Sequence, residues 1–270
     1  MLILIRGGGD LASGIALRLV RAGLKVVICE LAQPLAVRRL VSFSEAIYNG
    51  ETTVEGLTAR RVMDPQDTLK VLTTLSRSQI PVLVDPQGEA IAGLHPEVVV
   101  DARMTKQPAE LPAEKVNLLI GLGPGFTAGA NCHCAIETKR GHTLGRVYWQ
   151  GGPLPDTGIP DGVLERRSER VLRAPVDGEL RALAELGSVI EAGQTLAEVD
   201  GQVLVASFRG ALRGLLRSGQ LVKQGMKIGD LDPRADPELC RLVSDKSLAI
   251  AGGVLEAILS RPELRSKLWA

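Results

Sequence analysis

Three consecutive glycines, Gly7, Gly8 and Gly9, follow the apolar run Leu2–Ile5 and precede Asp10, Leu11 and Ala12, while an acid, Glu30, closes a second apolar run 21 residues after Gly9. The chemistry suited to such a set is phosphate and ribose binding. In the pattern Gly7-x-Gly9-x-x-Ala12 the first glycine permits a tight turn, the second lets backbone approach a phosphate, and the small third residue lets helix press on strand. Glu30 would then accept hydrogen bonds from a ribose 2′-hydroxyl. Leu11, Ile15 and Leu19 recur at helical spacing, so free N–H groups at the start of that helix face the glycines, with Asp10 as their cap and Arg6 adding positive charge. Asp10 opposes a phosphate unless its carboxylate turns back onto the helix.

Other chemistry-bearing residues lie further along. Asp85 and Asp101 each end an apolar run, and with Arg103 and Lys106 they are either crevice groups or turn-starting, salt-bridged acids. A second glycine-rich turn, Gly121–Gly129, contains Gly123 and Gly125 and either cradles another anionic part of a ligand or simply joins two strands. It lacks the Lys-Ser/Thr ending of a phosphate loop, which argues against ATP hydrolysis by that motif. His133, Glu137, Arg140 and His142 form a candidate catalytic or acid-binding cluster, with a structural ion pair as the alternative. Cys132 and Cys134 flank His133, but alternation along a strand would put them on the opposite face, so no metal site is expected.

The elements needed to position these groups alternate between apolar strands and amphipathic helices. A helix is expected from Pro34 to Tyr48, a strand at Leu57–Val62, and a helix at Gln66–Arg77 whose buried side is Leu69, Leu72 and Leu75. Ile80–Val84, Val98–Val100 and Val116–Leu122 do not alternate with polar residues and suit interior parallel strands. The fold class that follows is α/β, a Rossmann-like, mostly parallel, doubly wound sheet. With 32 basic and 31 acidic side chains the net charge is +1, so no global field favours nucleic acid or an anionic membrane. No apolar run reaches the roughly 18–20 residues that span a bilayer, and the four cysteines form no secreted-type framework, which points to the cytoplasm.

Between Leu172 and Pro233 the sequence repeats at an offset of 32: Gly178, Gly187 and Gly193 align with Gly210, Gly219 and Gly225. Two copies of short strands and glycine turns imply a small, pseudo-symmetric all-β module. The repeat resembles the biotinyl/lipoyl barrel-sandwich fold. That family carries a modified lysine at the connection between halves, here Val199–Val205, which has no lysine, so no covalent biotin or lipoate is expected. The domains are then 1–165, Rossmann-like; 166–234, the repeat module, with Arg166, Arg167 and Arg170 on a solvated edge; and 235–270, a helical segment returning to the large domain. Gly252-Gly253 in that last segment implies close packing.

Taken together, Ile5–Ala12, Gln33-Pro34, Arg38-Arg39, Phe43–Tyr48, Gly123–Phe126, Glu137-Thr138 and Arg140–His142 resemble the bacterial family of selenium-dependent molybdenum hydroxylase system proteins. The resemblance implies an accessory role in hydroxylase maturation, a nucleotide or the molybdenum cofactor as ligand, and the hydroxylase as client. It assigns no catalytic residue. A homo-oligomer is compatible with this reading. An NAD-dependent oxidoreductase using the same glycine loop and a non-catalytic scaffold stand as alternatives.

Overall fold

A computed structural model describes residues 1–105, 116–156, 166 and 168–268. The chain divides into two compact units, one of Met1–Pro34, Phe43–Asp156 and Val243–Ala270, the other of Leu35–Ser42 and Thr157–Leu242. The first unit contains β1 (Leu2–Arg6), α1 (Asp10–Arg21), β2 (Lys25–Glu30), α2 (Glu45–Asn49), β3 (Glu51–Val54), β4 (Leu57–Val62), α3 (Thr68–Ser76), β5 (Ile80–Val84), α4 (Ala90–Leu94), β6 (Val98–Asp101), β7 (Leu118–Leu122), β8 (Cys134–Ile136) and β9 (Val147–Tyr148), then α5 (Asp245–Leu259) and α6 (Pro262–Arg265).

Its nine strands form one sheet in the order β3-β4-β5-β2-β1-β6-β7-β8-β9. Only the outer pairs, β3–β4 and β8–β9, are antiparallel. The interior strands are buried on both faces, which is why Ile3, Leu4, Ile5, Val26, Val27 and Ile28 make unbroken apolar runs. After β1 the chain builds toward β2 and β5, and later toward β6 and β7 on the other side, so its direction of growth reverses between β1 and β6. Open parallel sheets bind ligands outside the strand carboxyl ends at such a reversal.

Three local expectations are corrected. The helix expected from Pro34 shrinks to α2, preceded by a 3-10 turn at Arg39–Val41, and Leu35–Ser42 belongs to the other unit, where Val37 packs against the core. On α3 the buried residues are Val71 and Thr74; of the three leucines Leu75 packs partly buried against the core, while Leu69 and Leu72 are exposed. The N-cap residue of α1 is Gly9, which brings no side chain, and Asp10 is the first helical residue. Helix α5 does pack closely on its neighbours. A Cβ on Gly253 would stand 2.2 Å from the Gly145 carbonyl oxygen, and one on Gly14 of α1 2.5 Å from Ser247.

The second unit holds β10 (Val171–Arg173), β11 (Gly178–Ala182), β12 (Val189–Ile190), β13 (Thr195–Val199), β14 (Gln202–Val205), β15 (Gly210–Leu215), β16 (Leu221–Val222) and β17 (Lys227–Asp232). They make two four-stranded antiparallel sheets, β10-β17-β15-β12 and β14-β13-β11-β16, whose apolar side chains share one core. The 32-residue repeat is reproduced in the pairing. Gly178 pairs with Val222 and Gly210 with Ile190, so the second strand of each copy pairs with the third strand of the other. Leu180 pairs with Val199 and Leu212 with Leu231. Even the irregularity repeats: the register slips between Thr195 and Ala197 opposite β14, and between Lys227 and Gly229 opposite β10.

Arg170 leaves the solvated edge assigned to it. It is buried and bonds Asp230, which also binds Arg213; Arg213 reaches Asp232 at 3.1 Å, and Arg234 clamps Asp232 with bonds of 2.8 and 2.5 Å. Burial pushes the Asp232 carboxyl up, but bonds from Arg234 and the charge of Arg213 leave it below the usual carboxylate range. Arg166 stacks on the Phe208 ring at 4.5 Å, and Arg167 lies outside the described residues.

Candidate functional site

The glycines leave β1 at the reversal point, and the three have different duties. Gly7 has φ +92°, and a Cβ there would lie 3.3 Å from Ala102 and Arg103 backbone, so turn geometry and the adjacent strand both require glycine. At Gly8 a Cβ would meet Ser44 N at 3.0 Å and Glu30 Cγ at 3.2 Å. Gly9 has ordinary φ and ψ of −68° and −175°, and nothing lies within 4 Å of the Cβ position. No packing requirement explains Gly9 among the described residues. As the N-cap residue of α1 it brings no side chain to the helix start.

Glu30 reaches this loop directly. Its carboxylate accepts the Gly8 N–H at 2.8 Å and the Leu31 N–H at 2.6 Å. Burial raises its pKa above the usual value, while the two N–H donors pull the other way. A carboxylate has about four acceptor positions, so about two remain for further donors. The sequence reading missed Ser13 and Ser44. Ser13 Oγ donates to Gly8 O at 3.2 Å and accepts Phe43 N–H at 2.8 Å; Ser44 N–H donates to the same Gly8 carbonyl at 2.9 Å. The Ser44 hydroxyl is buried with no hydrogen-bond partner among the described residues. Nothing in local periodicity marks either serine, because both act across the fold.

The strand-end acids take the second of the roles offered for them. Asp85 accepts N–H groups from Gly88, Glu89 and Ala90 at 2.8–2.9 Å, starting α4, and the Cys29 thiol donates to it at 3.4 Å. Asp101 takes Arg103 through bonds of 2.7–3.3 Å and faces buried Arg6 at 3.7 Å. Arg6 is further held by the carbonyls of Pro86 and Gln87, at 3.2 Å each. Lys106 lies outside the described residues.

The second glycine turn is closed on itself. Gly123 N–H donates to Ile136 O, Asn131 ties Thr127 N–H to Gly125 O, and Phe126 lies where a Gly121 Cβ would go, at 2.1 Å. These bonds favour the strand-joining role for Gly123 and Gly125.

The four-residue polar cluster is not one group. His133 precedes β8 and Glu137 follows it, about 13 Å apart along an extended strand. His133 Nδ1 accepts Leu119 N–H at 2.9 Å. Glu137 is buried and receives Thr138, Lys139 and Leu154 N–H groups at 2.8 Å each, so it organises backbone. Arg140 makes a two-pronged pair with Asp245 at 2.6 Å, and His142 is exposed.

All four cysteines are free and buried. Burial pushes the Cys132 thiol up to about 11 and the Cys134 thiol up to about 12, and raises those of Cys29 and Cys240. Thiolate is the reacting form. Native protein at about pH 8 should therefore give almost no colour with a thiol reagent over minutes and react fully only after denaturation. Fast labelling of one equivalent in the native state would contradict this arrangement. Among the described residues no group of three His, Cys, Asp or Glu side chains is placed to hold a metal ion. Nor is any described helix long and apolar enough to cross a membrane.

No family model matches the chain. It is 43% identical over 258 residues to the uncharacterized protein YqeB of Escherichia coli K12, a match covering 96% of this chain and 47% of that protein. The chain thus spans about half the length of the curated relative it matches. Among solved structures it shows slight likeness to an aspartoacylase family protein of Mesorhizobium loti, with 11% identity, 85% and 83% of the two chains covered and a TM-score of 0.27. The product-bound ectoine utilization protein EutE (DoeB) of Ruegeria pomeroyi gives 13% identity, 85% and 57% coverage and a TM-score of 0.23.

Proposed function

We propose that the first unit is a Rossmann-like domain that binds an adenosine- or cytidine-containing phosphate ligand over Gly7–Ala12, with Glu30 on the ribose. One observation carries this reading: Gly9 has neither a strained backbone nor a neighbour that needs glycine, yet it is the N-cap residue of α1 at the strand reversal. A phosphate approaching the backbone there supplies the missing reason. The open space beside Gly9 and the spare acceptor positions of Glu30 fit a nucleotide. In the same reading the second unit is a barrel-sandwich module of the biotinyl/lipoyl kind, without an acceptor lysine at Val199–Val205.

What the ligand serves rests on the motif resemblance: the chain acts as an accessory protein in maturing selenium-dependent molybdenum hydroxylases, handling a nucleotide or the molybdenum cofactor and docking on the hydroxylase. A nicotinamide-dependent oxidoreductase is the second reading, favoured by Glu30, because a carboxylate at that place suits an unphosphorylated ribose.

Calorimetry with adenine, cytidine, flavin and nicotinamide nucleotides tests the ligand, and absence of binding by all of them defeats the proposal. For the accessory role, deleting the gene should leave the hydroxylase polypeptide present but poorly active. Full hydroxylase activity in the deletion strain, with selenium and molybdenum supplied, would transfer the ligand site to the oxidoreductase reading.

A further inference from the structure

At the outer end of the large sheet an open groove of about 640 Å³ is lined by the charged residues Glu51, Arg60, Arg61, Asp64, Asp67 and Lys70, with Met63 beside them. It is formed where β4 ends, β3 begins and α3 starts. Strand β4 runs parallel to β5, β5 to β2 and β2 to β1. The groove therefore opens on the carboxyl edge of the sheet, where such folds place their ligands, but three strand spacings, about 14 Å, out from β1.

Its three acids and three bases cancel in charge but differ in how far they are already bonded. Asp64 accepts the Gln66 N–H and Asp67 caps α3 by accepting the Lys70 N–H, each at 2.9 Å, while Glu51 takes Arg60 Nη2 at 2.5 Å. On the basic side, Lys70 Nζ makes no hydrogen bond or ion pair among the described residues. Arg61 gives Nη1 to the Ile47 carbonyl, and the Arg60 Nε–H is buried with no acceptor. A guanidinium offers five N–H donors and an ammonium three, so the groove is short of acceptors. The pair Arg60–Glu51 is 41% and 57% exposed, and an ion pair of that kind contributes little, so Arg60 can turn to a ligand at small cost.

We propose that this groove is a binding site, separate from the glycine loop, for a small hydroxyl-rich phosphate ester of the sugar monophosphate class. The phosphate supplies the acceptors that Lys70, Arg60 and Arg61 lack. Sugar hydroxyls donate to Asp64 Oδ2 and Asp67 Oδ2, which carry no bond among the described residues. Met63, 73% exposed, gives the C–H face of the sugar an apolar contact. The balanced charge selects against polyanions, because every further negative group would face Glu51, Asp64 or Asp67. The volume suits a small molecule rather than a bare ion. All of this holds whichever ligand the glycine loop binds.

Glucose 6-phosphate titrated into isotopically labelled full-length protein tests the idea by amide shifts, which should saturate and fall on residues 49–51 and 60–70. Glucose and inorganic phosphate should each bind at least tenfold more weakly than the ester. Lys70→Glu changes an exposed side chain and leaves the Asp67 cap in place, so it should weaken binding at least tenfold at an unchanged melting temperature, whereas Lys70→Arg should keep most of the affinity. Four results would overturn the proposal: no shifts at millimolar ester, shifts confined to Gly7–Ala12, undiminished binding by Lys70→Glu, or tighter binding of tripolyphosphate than of the ester, the mark of a plain cationic patch.

Discussion

Asp230→Ala should remove the cooperative unfolding transition of the repeat module, or lower it by on the order of 15–30 °C, because it strips Arg170 and Arg213 of a buried carboxylate. Breaking a buried pair from one side costs about 3–5 kcal/mol, since the remaining charge is left in a poorly solvating surrounding. The repeat supplies its own control. Glu198→Ala removes the equivalent acid from the exposed pair with Arg181 and should change stability by less than about 1 kcal/mol. Thermal melts of both variants decide the matter, and equal effects would show that the buried network adds nothing. Acid should act like the first substitution. Asp232 has a lowered folded pKa, so its share of stability is present above the ordinary Asp value and is lost as pH falls through the lowered one.

Gly9→Val should leave the fold intact and abolish nucleotide binding, while Gly7→Val should damage the fold itself. At Gly9 the backbone is one any residue adopts and the Cβ position is open, so the cost is confined to a weaker N-cap, at most about 1 kcal/mol. A phosphate seated beside Gly9 would collide with the valine, and at least a tenfold loss of affinity, about 1.4 kcal/mol, is expected. At Gly7 the positive φ alone costs about 1–3 kcal/mol with any other residue, before contact with Ala102. Calorimetry beside a melting curve separates the two glycines. Retained binding by a folded Gly9→Val protein would remove the ligand from this loop.

Much of the first unit was legible because period and burial coincide there. Short unbroken apolar runs bounded by turn residues suit interior parallel strands, and the glycine, helix and acid order around Gly7–Glu30 is set by local chain geometry. The repeat was equally legible, since an offset of 32 is a property of the string. The polar cluster was not. His133, Glu137, Arg140 and His142 are neighbours in sequence, but β8 carries the first two to its opposite ends and Asp245, over a hundred residues away, takes Arg140. Leu69 and Leu72 misled for a related reason: helical spacing names a face without naming what lies against it.

By itself the sequence determined the interior strands, the helix after the first glycine turn and that two similar halves repeat in the module, because each depends on side-chain period or repetition along the string. Only the tertiary structure decided which glycine is spare, which acids are already bonded, and that Leu35–Ser42 serves the module rather than the sheet. These depend on partners distant in the chain. A buried carboxylate is settled by whichever N–H groups or guanidinium the fold brings to it, and no local pattern records that choice.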